Sequence, residues 1–344
     1  MVAFEARRPR VIASGVADSI DDRRKNEHVV WLFGAGFSEP LGGPLFSELL
    51  STQSEQWVRA WLFARGLDST HYPQEALVVY QAGLEAQLWE NAEGCLSMLD
   101  EARSDPVARS VITFALGPAL GEEIGQDVDE IWMKTANFVG AATSYFVDRV
   151  NRGNETPESW EPYRLWADTL SDCDSIISFN YDRVVEELLK LTGKKPAILA
   201  KLHGTVPDTG TLCANLRDGK ALSTIATPGP EKARSTRGRM ADDWRGAERA
   251  LAQAHRLVVV GYSFPASDPY ARWFILSKSE AKAVDVVVGP DSCGQAIASM
   301  FARFLGTAAV CNTQLRAQEY LAEGTARLKY GRFNHWLPFP SRSR

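Results

Sequence analysis

The sequence contains few cysteines and histidines, and they are widely spread. Five of each occur in 344 residues, and the closest two cysteines, Cys293 and Cys311, stand 18 residues apart. Structural zinc sites and redox-active dithiols need closely spaced thiolates, and a paired-histidine metal site needs an HExxH or HxH pattern, which is absent here. The sequence therefore predicts no metal and no disulfide framework. The odd number of thiols fits a reducing compartment such as the cytoplasm.

Positive charge and long apolar runs are also scarce. The formal net charge is -5, so we expect no direct nucleic-acid binding of the kind that counterion release drives. No apolar run approaches the roughly 20 residues that a bilayer-spanning helix needs. The basic start of the chain, with Arg7, Arg8 and Arg10, leads into no apolar stretch of the kind found in secretory signals. These absences predict a cytoplasmic protein without a membrane partner.

The apolar residues that are present form short runs, each ended by a polar or glycine-bearing turn. Such runs are typical of buried parallel strands. Helical patterns separate them, as in residues 183–191 and 270–279. The sequence therefore predicts an α/β fold, a Rossmann-like doubly wound parallel sheet with ligands at the carboxyl ends of its strands. The expected strands cover residues 29–33, 175–179, 197–202, 257–260 and 284–288.

A long helical pattern interrupts this alternation between the first two strands. Residues 128–146 show apolar side chains at three-and-four spacing, as in an amphipathic helix. We predict a helical insertion over about residues 45–171 within one domain, residues 28–310. An N-terminal arm, residues 1–27, precedes this domain, and a C-terminal helix and tail, residues 311–344, follow it.

The first and second strands end in residues that carry chemistry. Gly34-Ala35-Gly36-Phe37-Ser38 allows a sharp turn and a close approach to a phosphate, although Glu39 stands where a dinucleotide fingerprint has its third glycine. A purely structural turn is the alternative. Asn180 can orient a water or a ribose hydroxyl, and Asp182 can accept from another hydroxyl or merely cap the next helix.

Three further strand ends carry a second set of candidates. His203, followed by a glycine, can act as a general base near neutral pH, although a lone histidine is often structural. Gly261 and Ser263 form a small turn after the fourth strand, and Gly289 follows the fifth. All of these groups would converge on one edge of a doubly wound sheet, which predicts a ligand site there.

In order and spacing, these motifs resemble those of the sirtuin superfamily over about residues 29–305. The matching segments are GAGFS at 34–38, GGPLF at 42–46, FNYD at 179–182, LHG at 202–204 and GYSF at 261–264. The resemblance implies NAD+ as the ligand and His203 as the catalytic base, with Asn180 and Asp182 on the nicotinamide side. It further implies that the pyrophosphate and riboses are held by Gly34, Ala35, Gly36, Ser38, Gly261 and Ser263. Gly289 corresponds to the family's adenosine-side strand end, where an asparagine is more usual.

The chain also departs from the sirtuin deacylases. They carry a four-cysteine zinc module after the HG motif, where this chain has only Cys213, and an arginine where this chain has Ser47. The helical insertion is similar to that of the prokaryotic sirtuin-like branch in antiphage defence. The resemblance therefore implies an NAD+ glycohydrolase, a metal-free NADase that cleaves NAD+ to nicotinamide and ADP-ribose.

Other functions remain open from sequence. The same pocket would suit a non-catalytic NAD or ADP-ribose sensor, or a zinc-less deacylase or ADP-ribosyltransferase. The resemblance also implies a homo-oligomer and a partner protein such as a DNA-translocase-type ATPase or an Argonaute. The basic, aromatic tail from Arg327 is a candidate docking strip, or it packs on its own domain.

Overall fold

In the computed structural model, the sheet and its covering helices are described for most of the chain. The described residues are 27–69, 71–124, 127–153, 158–218, 220, 224–226, 238, 240–290, 293–306 and 308–329. All but the last residue of the expected N-terminal arm, and the tail from residue 330, lie outside them.

Across the described residues the sheet has six parallel strands, in the order β3-β2-β1-β4-β5-β6. This is the doubly wound order, in which the strand sequence reverses between β1 and β4. The strands end almost flush, since Phe33 pairs with Ser178 and Val260, and those pair in turn with Lys201 and Val287. The turns after these strands therefore meet at one edge. The strands are β1 (Val29–Phe33), β2 (Ser175–Ser178), β3 (Ile198–Lys201), β4 (Arg256–Val260), β5 (Ala283–Val287) and β6 (Ala309–Asn312).

Both faces of the sheet are covered, which is why its strands read as apolar runs rather than as alternating patterns. Val30 and Leu32 of β1 lie in the core of one face, and Phe33 lies in the core of the other. The first face is covered by helices α9 (Ala241–Gln253), α10 (Pro269–Lys278) and α11 (Cys293–Leu305), and the second by α6 (Glu161–Thr169), α7 (Val184–Thr192) and α12 (Ala317–Lys329).

The segment between β1 and β2 is helical and has its own core. The loops after β2 and β3 contribute Tyr181, Val206 and Ile225 to that core, so the segment packs over the carboxyl edge of the sheet. Its helices are α1 (Thr52–Phe63), α2 (His71–Glu85), α3 (Ala92–Ala102), α4 (Pro106–Ile124), α5 (Val128–Gly153) and α6, and α8 (Thr209–Arg217) lies between β3 and α9.

The α/β fold and the five predicted strands are confirmed, each strand within one residue of its expected ends. The sixth strand, β6, was not predicted from sequence. It crosses the expected boundary at residue 310, so the sheet extends into the region read as a C-terminal helix and tail, in which α12 follows. Within the described ranges, no helix has the length and apolarity needed to cross a membrane.

Candidate functional site

The turn after β1 packs directly against the turn after β4. The Gly34 amide donates to the Val260 carbonyl and the Gly36 amide to the Gly261 carbonyl, both at 3.0 Å. A Cβ on Gly34 would lie 2.5 Å from the Gly261 oxygen, and one on Gly261, whose φ is +65°, would lie 2.3 Å from the carbonyl carbon of Gly36. Only glycine permits so close a backbone contact. These glycines thus bring two strand ends together where the strand order reverses.

The amides of the first turn are mostly committed to the protein. Those of Gly34, Gly36, Phe37 and Ser38 each donate to a backbone carbonyl. The Ala35 amide is the one amide of this turn for which the described residues provide no acceptor. A phosphate bound at this turn would therefore accept a hydrogen bond from the Ala35 amide. The two glycines can thus both form the turn and allow a phosphate to approach it.

Three predicted site residues form one buried hydrogen-bond network. The Ser38 hydroxyl donates to Asp182 Oδ2 at 2.7 Å, and Asn180 Nδ2 donates to the Ser38 oxygen at 3.1 Å. Asp182 Oδ1 accepts from the Val184 amide at 3.0 Å at the start of α7. Asp182 therefore serves as a helix-end acceptor and also joins β1 to β2. The network leaves a carboxylate, an amide and a hydroxyl beside the reversal point, where a ligand with hydroxyl groups can exchange hydrogen bonds with them.

A buried lysine balances the charge of this network. Burial raises the pKa of Asp182, and the positive charge of Lys201 partly opposes that rise. Lys201 Nζ donates to the backbone carbonyl of Asp182 at 2.6 Å and to Glu186 at 3.4 Å. The sequence analysis missed Lys201 as a site residue, although it is the only charged residue in the apolar run of residues 197–202.

His203 lies beyond the end of β3 and pairs with a carboxylate from another strand end. Its Nε2 is 2.9 Å from Asp268 Oδ2, and both side chains are buried. Gly204 has a φ of +76°, and a Cβ there would lie 2.0 Å from the Thr224 carbonyl oxygen, so a glycine is required beside the imidazole. Sequence reasoning missed this role of Asp268. Asp268-Pro269 indicates a helix start, and nothing in the sequence connects it to His203.

Aromatic rings enclose the imidazole. Phe179 meets His203 edge-on at 4.9 Å between ring centroids and stacks on Tyr262 at 4.1 Å. Tyr181 lies 5.9 Å from the imidazole. Burial raises the pKa of the Tyr262 phenol, and the charge of Asp268 raises it further. Aromatic rings therefore pack against the imidazole on the sides of Phe179 and Tyr181.

The helical insertion reaches this site. Phe46 lies 5.8 Å from the Tyr181 ring. Burial raises the pKa of Tyr181, and the carboxylates of Glu93 and Asp100, both on α3, add to the rise. Glu93 is itself buried. The insertion therefore packs over the aromatic wall of the site, which is formed by the rings of Phe179, Tyr181 and Tyr262. No sequence motif indicated this contact.

The remaining predicted residues lie on the same edge of the sheet. Ser263 is exposed in the turn after β4. Next to it, Phe264 has a φ of +52°, a strained value for a bulky residue, and its carbonyl accepts from Arg272 at 2.8 Å. Gly289 has a φ of +86° and donates its amide to Leu315 after β5, one strand further from the reversal point. A strained backbone of this kind is common at ligand sites.

Within the described residues there is no cluster of three side chains suited to hold a metal ion.

The comparisons with known proteins add no relative. No protein-family model matches the chain, and no curated protein matches it. The membership of the sirtuin superfamily that the motifs predict therefore stays a prediction, and the site is interpreted from its own geometry.

Proposed function

We propose that the protein is an NAD+ glycohydrolase that releases nicotinamide and ADP-ribose. The observation that carries the proposal is the buried network of Ser38, Asn180 and Asp182, which lies at the ends of β1 and β2, beside the reversal point of a doubly wound sheet. That point is where such sheets bind dinucleotides. His203, the candidate base, follows the neighbouring strand, so positioning groups and a base share one edge.

For cleavage of NAD+ the protein needs mainly to position the ribose and the attacking water and to exclude other water from the site. Nicotinamide is a cationic substituent in NAD+, so it leaves with the electron pair of the glycosidic bond as a neutral product. In the proposed step Asn180 and Asp182 hold the ribose and a water. The water oxygen bonds to the anomeric carbon, and its proton passes to His203. The aromatic wall limits competing water.

The first prediction concerns the two central residues. His203→Ala and Asn180→Ala should each lower nicotinamide release by roughly 10²–10⁴-fold, the usual effect of losing a general base or a positioning group. Full-length protein is incubated with NAD+ and the products are separated by chromatography. His255→Gln, at the opposite edge of the sheet, is the matched control and should retain the activity of the unaltered protein. Cleavage by His203→Ala at the unaltered rate would remove His203 from the mechanism.

A binding-only sensor is the second candidate, because His203 is only 3% exposed and already bonded to Asp268. A sensor predicts saturable NAD+ binding by calorimetry without nicotinamide release. Including an acetyl-lysine peptide in the cleavage assay tests the deacylase alternative. Turnover that requires the peptide would replace the glycohydrolase by that alternative.

We further propose an antiviral defence role, as an NAD-depleting effector in the cytoplasm. The support is the resemblance of the motifs and of the helical insertion to the defence branch. A free NADase is toxic to its host, so the proposal includes a trigger, a homo-oligomer and a partner such as a DNA-translocase-type ATPase or an Argonaute. Phage plating on cells with the unaltered chain or His203→Ala, with NAD+ measured after infection, tests this role. Equal protection by both chains would contradict it.

A further inference from the structure

We propose that Asp268 is a positioning residue for His203. By accepting a hydrogen bond at Nε2 it fixes the tautomer with the proton on that nitrogen, so that the ring accepts a proton at Nδ1. This inference rests on the proposed function for the identity of the proton donor. The tautomer itself does not depend on that function.

The geometry gives Asp268 two fixed partners. Its Oδ2 lies 2.9 Å from His203 Nε2, and its Oδ1 accepts from the Ala271 amide at 3.1 Å in the first turn of α10. The side chain is fully buried. A carboxylate held at both oxygens cannot rotate away from the imidazole, so it acts as a fixed acceptor. Charge-assisted bonds of this kind are shorter and stronger than neutral ones.

The protonation chemistry follows from that acceptor. A carboxylate has no proton to donate, so the neutral imidazole must supply the hydrogen at Nε2, and Nδ1 is left as the basic nitrogen. When Nδ1 takes a proton, the imidazolium and Asp268 become an ion pair with no net charge. This limits the cost of forming a cation in a buried site. The geometry is that of a catalytic histidine oriented by an aspartate, with the roles of the two nitrogens exchanged.

Other titratable or charged groups face this pair from the neighbouring elements. The phenols, whose ordinary pKa is 10.0, are neutral near pH 7, and burial raises their pKa further. The remaining charges act on the phenols from α3 and α10. The groups are Tyr181, Tyr262, Glu93, Asp100 and Arg272.

The tautomer can be read without any activity. The full chain is labelled with ¹⁵N-histidine, and His203→Gln assigns one of its five imidazoles. Two-bond ¹⁵N–¹H spectra, recorded where the ring is neutral, should show the proton on Nε2. In Asp268→Ser, whose hydroxyl still caps α10 but is shorter than the carboxylate, the two tautomers should mix. A proton on Nδ1 in the unaltered protein, or an unchanged spectrum in the variant, would overturn the proposal.

The pH profile then separates positioning from a merely structural role. Asp268→Asn can still cap α10 through its oxygen, but it turns an N–H towards Nε2 and favours the wrong tautomer. We expect kcat to fall by about 10²–10⁴-fold with KM little changed. In Asp268→Ser the acid limb of the kcat/KM profile should move to lower pH, since a carboxylate favours the imidazolium.

The outcomes of these experiments are distinct. Lower thermal stability with an unmoved acid limb in both variants would show that Asp268 is a helix cap and no more. Failure of the unaltered protein to release nicotinamide would end the proposed function, while the spectra would still decide the tautomer.

Discussion

Gly261 takes a backbone conformation that side-chain-bearing residues avoid, at the point where two strand ends touch. An alanine Cβ would lie 2.3 Å from the backbone of Gly36 and Phe37, so the turns would have to separate. Gly193, at the end of α7, has a similar φ of +68° but nothing within 4 Å of its Cβ position. The two glycines therefore separate the effect of backbone strain from that of steric overlap.

Gly193→Ala should lower the free energy of unfolding by about 1–2 kcal/mol, the cost of the left-handed conformation alone. Gly261→Ala should lower it by a further 1–3 kcal/mol or so, because overlap is added to strain. Urea unfolding of both variants measures the difference. Equal losses would show that the turns after β1 and β4 separate without loss of stability, and that the glycine contact does not hold the site together.

At this scale the sequence predicted that Ser38, Asn180 and Asp182 lie at one edge of the sheet, because each follows the end of an apolar strand, but it did not predict the hydrogen bonds between them. It did not predict Asp268 as the partner of His203, because that contact spans 65 residues and depends on where α10 begins. Residue types at strand ends can be read from a sequence, whereas the pairing of side chains from different loops depends on the packed structure.

At the scale of elements, α6 holds the turn after β1 in place. The hydroxyl of Tyr163 donates to the Phe37 carbonyl at 2.8 Å, and burial raises the pKa of this phenol. Trp166 of the same helix contacts Phe33 and Phe37 edge-on, with 5.2 and 5.8 Å between the ring centroids. The turn that precedes Ser38 is therefore fixed from behind by a helix near the end of the insertion.

Tyr163→Phe should lower the free energy of unfolding by about 1–3 kcal/mol, because the Phe37 carbonyl loses its buried donor. Tyr145→Phe is the matched control, since the structure shows the Tyr145 ring stacked on Trp57 and, among the described residues, no acceptor for its hydroxyl. Its unfolding free energy should change by less than about 0.5 kcal/mol. The same midpoint for both variants in urea would contradict this role of α6.

At this scale the strands that have buried residues were predicted from sequence, and the one described strand that has none was not. Strand β4, Arg256–Val260, is an almost continuous apolar run and was predicted to within a residue. Strand β6, Ala309–Asn312, is as long as β2 and β3, but none of its four residues is buried, and it lies at the edge of the sheet. Less burial at the edge means less apolar patterning, so its sequence did not stand out from a loop.

At the scale of the whole molecule, the sheet has a titratable group at the amino ends of its strands, opposite the candidate site. His28 Nε2 lies 2.8 Å from the Ser175 oxygen, next to Asp174 and His255. Burial is the main cause that lowers the pKa of His28 below 6.5. The unfolded chain therefore takes up a proton at higher pH than the folded protein does, and protonation favours unfolding.

The stability linked to His28 should be complete above pH 6.5 and should be lost as the pH falls from there towards the lower pKa of the folded state. His28→Gln removes this titration, so its free energy of unfolding should fall less steeply between pH 7.5 and 5 than that of the unaltered protein. Burial raises the pKa of Asp174, so protonation of this carboxylate favours the folded state as the pH falls, an effect of opposite sign that is present in both proteins. Parallel slopes for the two proteins would exclude His28 as the source.

The order of the strands also has a consequence during synthesis. The site joins Ser38 from β1 to His203 and Asp268, and 230 residues of chain separate the first from the last. At about 5–20 residues per second, a ribosome needs on the order of 10–50 s to make that stretch. During synthesis the glycine turn after β1 and the helical insertion are made well before Asp268, the partner of His203. The pairing of His203 with Asp268 therefore cannot form until the chain has been made as far as the start of α10.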